Sequence, residues 1–192
     1  MAEAQQATES VHHVALPVLE AGVEHVRRAP STRGRVELIV SRPAEEERAA
    51  REQARLDPEH GLVGDNWLER SIAKKGTANP HTQLTLVNAR AAALFAGPRE
   101  GWALAGDQLY VDLDLSERNL PPGTRLSLGS AVIEITAEPH NGCGKFLRRF
   151  GLDASRFLKS DAGRELKIRG IYARIVEAGT VRVGDSITKL GA

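Results

Sequence analysis

The sequence predicts a mainly β fold with short helices, in which a β-barrel-like domain follows an N-terminal helical extension. From residue 34 onward, short alternating or β-branched runs are separated by glycine, proline and asparagine, as in antiparallel β proteins. Two stretches, "PPGTRLSLGSAVIEI" and "EAGTVRVGDSITKL", share a plan of Gly-Thr, short strand, glycine turn and second strand. Hairpins at regular spacing favour a closed or nearly closed barrel over a parallel sheet. The length of 192 residues fits one domain, with residues 1–33 as tail and extension and residues 34–192 as the barrel.

The extension is predicted to be helical. Residues 1–10 are small and polar, and we expect them to be frayed. The stretch "PVLEAGVEHVRRAP" (17–30) then places Leu19, Val23 and Val26 on one helical face. Proline at each end of this stretch is typical of the first turn of a helix and of the residue that stops it.

Seven runs after the extension are predicted to be strands. In "QLYVDLDL" apolar residues at 109, 111, 113 and 115 alternate with Tyr110, Asp112 and Asp114, which is typical of a half-buried antiparallel strand. The runs are "RVELIV" (35–40), "QLTLVN" (83–88), "QLYVDLDL" (108–115), "TRLSLG" (124–129), "AVIEIT" (131–136), "GIYARIVE" (170–177) and "TVRVGDSI" (180–187).

Short helices are predicted to interrupt the strands. They are "AEEERAAREQARL" (44–56), "NARAAALFAG" (88–97) and the segments that follow Cys143. The glutamates at 45–47 are interpreted as a solvent-exposed face of the first of these helices.

Composition excludes several classes of protein. Lys+Arg 26 against Asp+Glu 25 gives a net charge of +1, so no overall field favours nucleic acid as a partner. A single cysteine excludes an internal disulfide and suits a reducing compartment. The start "MAEAQQATES" lacks the pattern of a secretory signal, and the apolar runs are far shorter than the roughly 20 residues of a membrane span. We therefore expect a cytoplasmic protein without a membrane partner, and the oligomeric state stays open.

The single cysteine lies in "EPHNGCGKFLRRFG" (138–151), between Gly142 and Gly144. An unreactive core cysteine would more commonly lie in an apolar run, whereas these glycines have no side chains to cover the sulfur. If a helix begins near Gly142, its dipole and the cations that follow would favour the thiolate over the thiol. The pattern therefore indicates that Cys143 is a nucleophile or a metal ligand.

A histidine and a set of cations accompany the cysteine. His140 would act as a base for Cys143 or as a second metal ligand beside it. The alternative is a turn histidine whose ring is hydrogen-bonded to the backbone. Residues 138–174 contain nine Lys and Arg against four Asp and Glu, and nine minus four is an excess of five positive charges. This excess indicates an anion pocket, although a basic surface that balances an acidic one elsewhere would give the same count. The candidate anion contacts are Lys145, Arg148, Arg149, Arg164 and Arg169.

These residues together resemble the MOSC domain family, named for the C-terminal domain of molybdenum cofactor sulfurases. The resemblance spans most of residues 34–190. It rests on "GLVGDNW", "HTQLTLVNAR", "GDQLYVDLDLSERNLPPGTRLSLGSAVIEIT", "PHNGCGKFLRRFG" and "GRELKIRGIYARIVEAGTVRVGD", in that order. It implies a β-barrel-like fold with one functional cysteine, here Cys143, which carries sulfane sulfur or coordinates the molybdenum of a bound pterin cofactor. Some members use that cofactor to reduce N-hydroxylated bases or amidoximes.

The resemblance also implies what the protein would bind. The cations would contact the phosphate of the molybdenum pterin cofactor. Larger sulfurases carry a separate pyridoxal phosphate desulfurase domain, for which 192 residues leave no room, so we expect any sulfur donor to be another polypeptide. The leading hypothesis is an enzyme that transfers sulfur or uses the cofactor for reduction. The alternative is a non-catalytic β-barrel binding module that docks an acidic ligand or partner through a basic face.

Overall fold

A computed structural model describes residues 13–191 of the chain. The strands are β1 (Arg33–Ser41), β2 (Ala49–Arg51), β3 (Gln53–Asp57), β4 (Gly61–Leu62), β5 (Leu84–Asn88), β6 (Leu109–Asp112), β7 (Arg125–Leu128), β8 (Ala131–Ile135), β9 (Ile171–Glu177), β10 (Gly179–Arg182) and β11 (Ser186–Lys189). The helices are α1 (Leu16–Ala21), α2 (Val23–Arg27), α3 (Trp67–Lys75), α4 (Ala89–Ala96), α5 (Gly144–Leu158) and α6 (Asp161–Glu165), with short 3₁₀ helices at Pro80–Thr82 and Arg99–Ala105. None of the helices formed by these residues is long and apolar enough to cross a membrane.

Seven strands form a closed barrel. Their order around the ring is β11, β7, β8, β9, β5, β6 and β1, and the pairing of β1 with β11 closes it. Neighbours are antiparallel except for β5 and β6, which run parallel. Strand β2 extends the sheet from β1, and β10, β3 and β4 form a second small sheet. The predicted β-barrel-like fold after an N-terminal helical extension is confirmed.

The barrel interior is filled by alternate residues of the ring strands. Leu109, Val111, Leu113 and Leu115 are all buried in this interior cluster, as the alternation in "QLYVDLDL" predicts. Tyr110 on the opposite side is also buried, because helices cover the outside of the barrel there. Most of β6 is therefore buried on both faces where a half-buried strand was predicted, and β6 is antiparallel only to β1.

A second apolar cluster lies between the barrel and the helices. Its centre is a group of three phenylalanines: the ring of Phe95 on α4 meets Phe146 at 5.3 Å and Phe150 at 5.1 Å, both edge to face. Edge-to-face aromatic pairs add about 0.5–1.5 kcal/mol to the burial of their area. Since Phe146 and Phe150 lie on the first turns of α5, this packing fixes where α5 begins.

The N-terminal extension packs against this helical layer. The predicted helix over 17–30 is divided into α1 and α2 at Gly22, where a Cβ atom would overlap the side chain of Leu94 on α4. Leu19 and Val26 are buried, as their shared helical face predicts. The backbone N–H of Leu16 donates to Asp153 Oδ2 at 3.1 Å, which ties α1 to α5.

The helix predicted over 44–56 is wrong. This segment forms a turn followed by β2 and β3, and in β3 the buried Ala54 and Leu56 alternate with the exposed Gln53 and Arg55. The composition favours a helix, but the apolar residues have the two-residue period of a strand. Pairing with β10 and β4 overrides the local preference.

One of the two predicted hairpins is also wrong. Strands β7 and β8 form the first, with Leu128 opposite Ala131. In the second stretch, β10 pairs with β3 whereas β11 pairs with β7 and β1, so the two strands belong to different sheets. The shared plan of the two stretches therefore does not extend to their pairing.

Candidate active site

A cleft of about 760 Å³ contains most of the predicted site residues. Its walls come from several parts of the chain that are distant in sequence, among them the segment after β1, the helix α3, the start of α5 with its flanking residues, and the approach to β9. The predicted residues that line it are His140, Cys143, Lys145, Arg148, Arg149 and Arg169. None of the described residues of the N-terminal extension lines it.

Cys143 lies at the start of α5 and its side chain is exposed. Partial burial raises the pKa of its thiol, but hydrogen bonds from the backbone N–H groups of Phe146 and Lys145, together with the charge of Arg169, outweigh this effect. The net result is a pKa below the ordinary value of a cysteine. The first-turn N–H groups have no partner within a helix, so they are free to stabilise a thiolate here.

We expect Cys143 to react with iodoacetamide at lower pH than a free thiol. Because the thiolate is the nucleophile, its rate of alkylation rises with pH and levels off above the thiol pKa. The measurement is the labelling rate from pH 5 to 10, followed by mass spectrometry, with glutathione as the reference. A midpoint at or above that of glutathione would contradict the lowered pKa.

Behind Cys143 lies a buried ion pair that the sequence did not reveal. The side chain of Asp107 is fully buried, and its Oδ2 accepts from Arg169 Nη1 at 2.6 Å. Arg169 also donates to the carbonyl of Ala105 at 3.2 Å and lies 5.5 Å from the ring centre of Phe146. Burial raises the pKa of Asp107, while the charge of Arg169 acts in the opposite direction. This arrangement holds one cation beside the thiol.

His140 lines the same cleft but makes no hydrogen bond to Cys143. Its ring packs on Tyr172 at 4.5 Å between centroids, and its Nε2 lies 3.7 Å from Asp107 Oδ1. Burial, and then the charges of Arg169 and Arg42, hold the pKa of His140 well below its ordinary value. Since Asp107 is already neutralised by Arg169, its carboxylate does little to favour a protonated imidazole. His140 is therefore a neutral group at the base of the cleft near pH 7.

Two predicted anion contacts are already paired with carboxylates of the chain. Lys145 Nζ lies 2.8 Å from Glu45 Oε1 and 2.5 Å from Glu46 Oε1. Arg149 also pairs with Glu46 and donates to the carbonyl of Leu104 at 2.8 Å. Glu45 and Glu46, two of the three glutamates that were interpreted as a solvent-exposed helical face, thus reach across to α5.

The other two predicted contacts differ in position. Arg148 is exposed, lines the cleft and forms no ion pair with any residue from 13 to 191. Arg164 does not line the cleft; it donates to Asp161 at 2.7 Å and to the carbonyl of Lys159 on the surface. The structure therefore brings together five predicted residues around Cys143 and separates Arg164 from them.

The opposite wall carries cations that sequence reasoning missed. Arg42, at the end of β1, donates from its backbone N and its Nε to Asp65 Oδ2 and from its Nη2 to Oδ1, each at 2.8 Å. Asp65 also accepts from the backbone N–H of Trp67 and so orders the start of α3. Beside this pair lie Arg48 and Arg70, and further out on α3 lie Lys74 and Lys75. Only the motif "GLVGDNW", which contributes to the family resemblance, pointed to this region.

Buried polar atoms without partners concentrate at this cleft. Among residues 13–191, six buried side-chain nitrogen or oxygen atoms make no hydrogen bond. Five belong to residues that line the cleft, and the sixth belongs to Asp107 directly behind it. Such atoms are rare in folded proteins and are normally paired with water or a ligand. The atoms are Arg48 Nε, Asn66 Oδ1, Trp67 Nε1, Asp107 Oδ1, His140 Nδ1 and Arg169 Nε.

No cluster of three or more His, Cys, Asp or Glu side chains within residues 13–191 is arranged to hold a metal ion. The metal ligand that the sequence predicts is Cys143, with His140 as a base or second ligand beside it.

The structure is a closed seven-stranded barrel with one exposed thiol, whose pKa is lowered, at a cationic cleft. These features define a single-cysteine β-barrel protein. The chain belongs to the MOSC domain family, whose family model matches residues 74–188. This range includes α5 with Cys143, whereas β1 precedes it and completes the ring.

Solved structures share the fold. The YuaD protein of Bacillus subtilis is 19% identical with a TM-score of 0.57, and the match covers 81% of this chain and 94% of that one. YiiM of Escherichia coli is 19% identical with a TM-score of 0.54, covering 82% of this chain and 70% of that one. A hypothetical protein is 18% identical with a TM-score of 0.59, covering 88% and 71%. At these identities the comparison concerns the fold alone. No functionally curated protein matches the sequence.

Proposed function

We propose that this protein binds the molybdenum pterin cofactor in the cleft, with the Cys143 thiolate as the protein ligand of the metal, and reduces N-hydroxylated substrates. The observation that carries the proposal is an exposed thiol with a lowered pKa at a 760 Å³ cleft. Clefts of about 300–1,000 Å³ are typical of cofactor and small-molecule sites, whereas a sulfur atom alone requires no such volume.

The residues present fit the cofactor chemically. A thiolate is a soft ligand that suits molybdenum in a sulfur-rich environment. The cationic walls suit a phosphate, and the unpartnered buried polar atoms suit a heterocycle rich in nitrogen and oxygen. When bound, the cofactor would supply two-electron redox chemistry. Reduction of an N–OH group to N–H consumes two electrons and two protons and releases water, so a separate electron donor is part of the proposal.

The chain's own residues would prepare the thiolate. The N–H groups of Lys145 and Phe146 and the fixed charge of Arg169 favour the anionic sulfur that a metal requires. Asp107 keeps Arg169 in place, and the neutral His140 presents an imidazole to the cleft without adding charge. We assign Cys143 as the ligand and His140 as its neighbour that completes the polar base of the cleft.

We expect Cys143→Ala to lose molybdenum without losing its fold. Wild type and variant would be produced in a host that synthesises the pterin cofactor, and metal content would be measured by plasma mass spectrometry. The wild type is expected to retain molybdenum in a near-stoichiometric amount, and the variant at most about a hundredth of it, because a metal–thiolate bond is lost. Arg164→Gln, outside the cleft, is the matched control and should retain metal. Equal molybdenum in wild type and Cys143→Ala would contradict the ligand role.

Relay of sulfane sulfur is the second candidate, favoured by the exposure of the Cys143 side chain. A separate donor protein can reach an exposed sulfur atom, whereas it could not reach a thiol that is covered by a bound cofactor. Here the wild type would carry cyanide-labile sulfur on Cys143 without molybdenum. Absence of both signals would count against both candidates and leave the binding-module alternative, in which ligand binding persists in Cys143→Ser.

A further inference from the structure

Two glutamates of the cleft face the helix that begins beside the thiol. Glu45 and Glu46 are the only carboxylate side chains among the described residues that line the cleft. Lys145 Nζ contacts both, at 2.8 Å from Glu45 Oε1 and 2.5 Å from Glu46 Oε1, and Arg149 also pairs with Glu46. Both cations lie on α5 within six residues of Cys143, and all five side chains line the same cleft.

The glutamates also face the opposite wall of the cleft. The hydrogen bond from Lys145 is the main cause that lowers the pKa of Glu45 and that of Glu46. The charge of Arg70 lowers the pKa of Glu45 further, and the charge of Arg48 does the same for Glu46. Both carboxylates are therefore ionised near pH 7 and lie between the cations of two walls.

The turn that carries the glutamates is fixed only at its ends. Before it, Arg42 is bound to Asp65 by three hydrogen bonds, and after it Ala49 pairs with Ser41 in the β1–β2 ladder. Residues 43–47 are all exposed, and Glu46 has φ +62°, which is unfavourable for a residue with a Cβ. Since none of these side chains is buried, the ion pairs with α5 are what hold the two carboxylates in the cleft.

We infer that Glu45 and Glu46 determine the charge selectivity of the thiol site, where they act as its built-in counter-anions, so that Cys143 takes uncharged reactants in preference to anionic ones. An anion that approaches the thiol lies near two carboxylates that repel it, and near cations that these carboxylates already neutralise. An uncharged reactant experiences no such repulsion. Without the glutamates, Lys145 and Arg149 would attract anions to the same place.

This selectivity goes beyond the proposed function, because it concerns the reactivity of the thiol in cofactor-free protein. In the proposed reductase it would favour N-hydroxylated substrates that carry no carboxylate or phosphate, and this step alone rests on the proposed function. A wild type that binds no molybdenum would therefore contradict the proposed function and leave the charge selectivity of Cys143 unaffected.

The test compares alkylation of Cys143 by iodoacetate, an anion, and by iodoacetamide, its uncharged analogue. The thiolate displaces iodide from either reagent, so the ratio of the two rate constants is independent of the thiol's own reactivity and measures the surrounding charge. At low ionic strength we expect the ratio to rise about fivefold in Glu45→Gln, Glu46→Gln and about twofold in Glu45→Gln alone. Adding Lys145→Gln to the double variant should lower the ratio again, since it removes one of the released cations. Rates would be measured on the full chain by mass spectrometry.

The matched control is Glu47→Gln, Glu59→Gln, which removes the same two charges from exposed glutamates that do not line the cleft. It should leave the ratio unchanged, and thermal unfolding would verify that all variants are folded. In 1 M salt, where charges are screened beyond about 3 Å, the gain of Glu45→Gln, Glu46→Gln should disappear. An unchanged ratio in that variant, an equal rise in the control, or a gain that persists in 1 M salt would overturn the inference.

Discussion

Replacing Asp107 by alanine is expected to lower the free energy of unfolding by about 3–5 kcal/mol, the usual effect of removing one partner of a buried ion pair. The carboxylate is fully buried and the side chain of Arg169 is 11% exposed. Without Asp107, the guanidinium would retain only the carbonyl of Ala105 and the face of Phe146. Neither contact neutralises its charge, so the cation would lie uncompensated beneath the cleft. Urea unfolding at pH 7 measures the change.

The double variant Asp107→Ala, Arg169→Met distinguishes the loss of charge balance from the loss of packing. Removing both partners eliminates the buried charge, and such replacements are often close to neutral for stability. We therefore expect the double variant to be more stable than Asp107→Ala alone. A double variant as unstable as the sum of the two single variants would show that the pair acts through packing and not through charge compensation.

The barrel could be predicted from sequence because its strands carry local signals. The alternation in "QLYVDLDL" corresponds to a strand whose apolar residues Leu109, Val111, Leu113 and Leu115 fill the interior. The exposure of Cys143 could likewise be predicted, because the flanking Gly142 and Gly144 have no side chains to cover it. Both inferences use residues within a few positions of each other.

The rest of the site depends on contacts between distant segments. Asp107 and Arg169 are 62 residues apart, and Lys145 and Glu45 are 100 apart. Nothing in a single sequence shows that "AEEER" lies against α5, and its composition favoured a helix in place of the turn that brings Glu45 and Glu46 there. Arg164 shows the converse, since a local cation count could not distinguish an arginine of the cleft from one bonded to its own helix.

The same separation explains the charge of the cleft. The chain has a net charge of +1, yet nine Lys and Arg residues and only two Glu residues line one cavity. They come from the segment after β1, from α3, from α5 and from the approach to β9, and barrel closure brings them together. A local excess of positively charged side chains is thus produced by topology in a protein that is almost neutral overall.

Gly170→Ala should be the most damaging small substitution next to the site, with a loss of about 3 kcal/mol or more, from backbone strain and overpacking together. Gly170 has φ +99°, a conformation that residues with a Cβ rarely adopt. An added Cβ would overlap the carbonyl oxygen of Leu86 in β5 and lie 3.2 Å from His140 Nδ1. Strand β5 is bonded to ring strands on both sides, so it cannot move away cheaply.

Gly64→Ala is the matched control for Gly170→Ala. Gly64 has φ +88°, but no heavy atom lies within 4 Å of an added Cβ, so this variant carries the backbone strain without the overlap. We expect it to cost only about 1 kcal/mol. If the two variants proved equally stable in urea unfolding, the contact with Leu86 would be unimportant. A much larger loss in Gly170→Ala, together with a raised midpoint for iodoacetamide labelling of Cys143, would show that this turn holds the adjacent Arg169 in position beside the thiol.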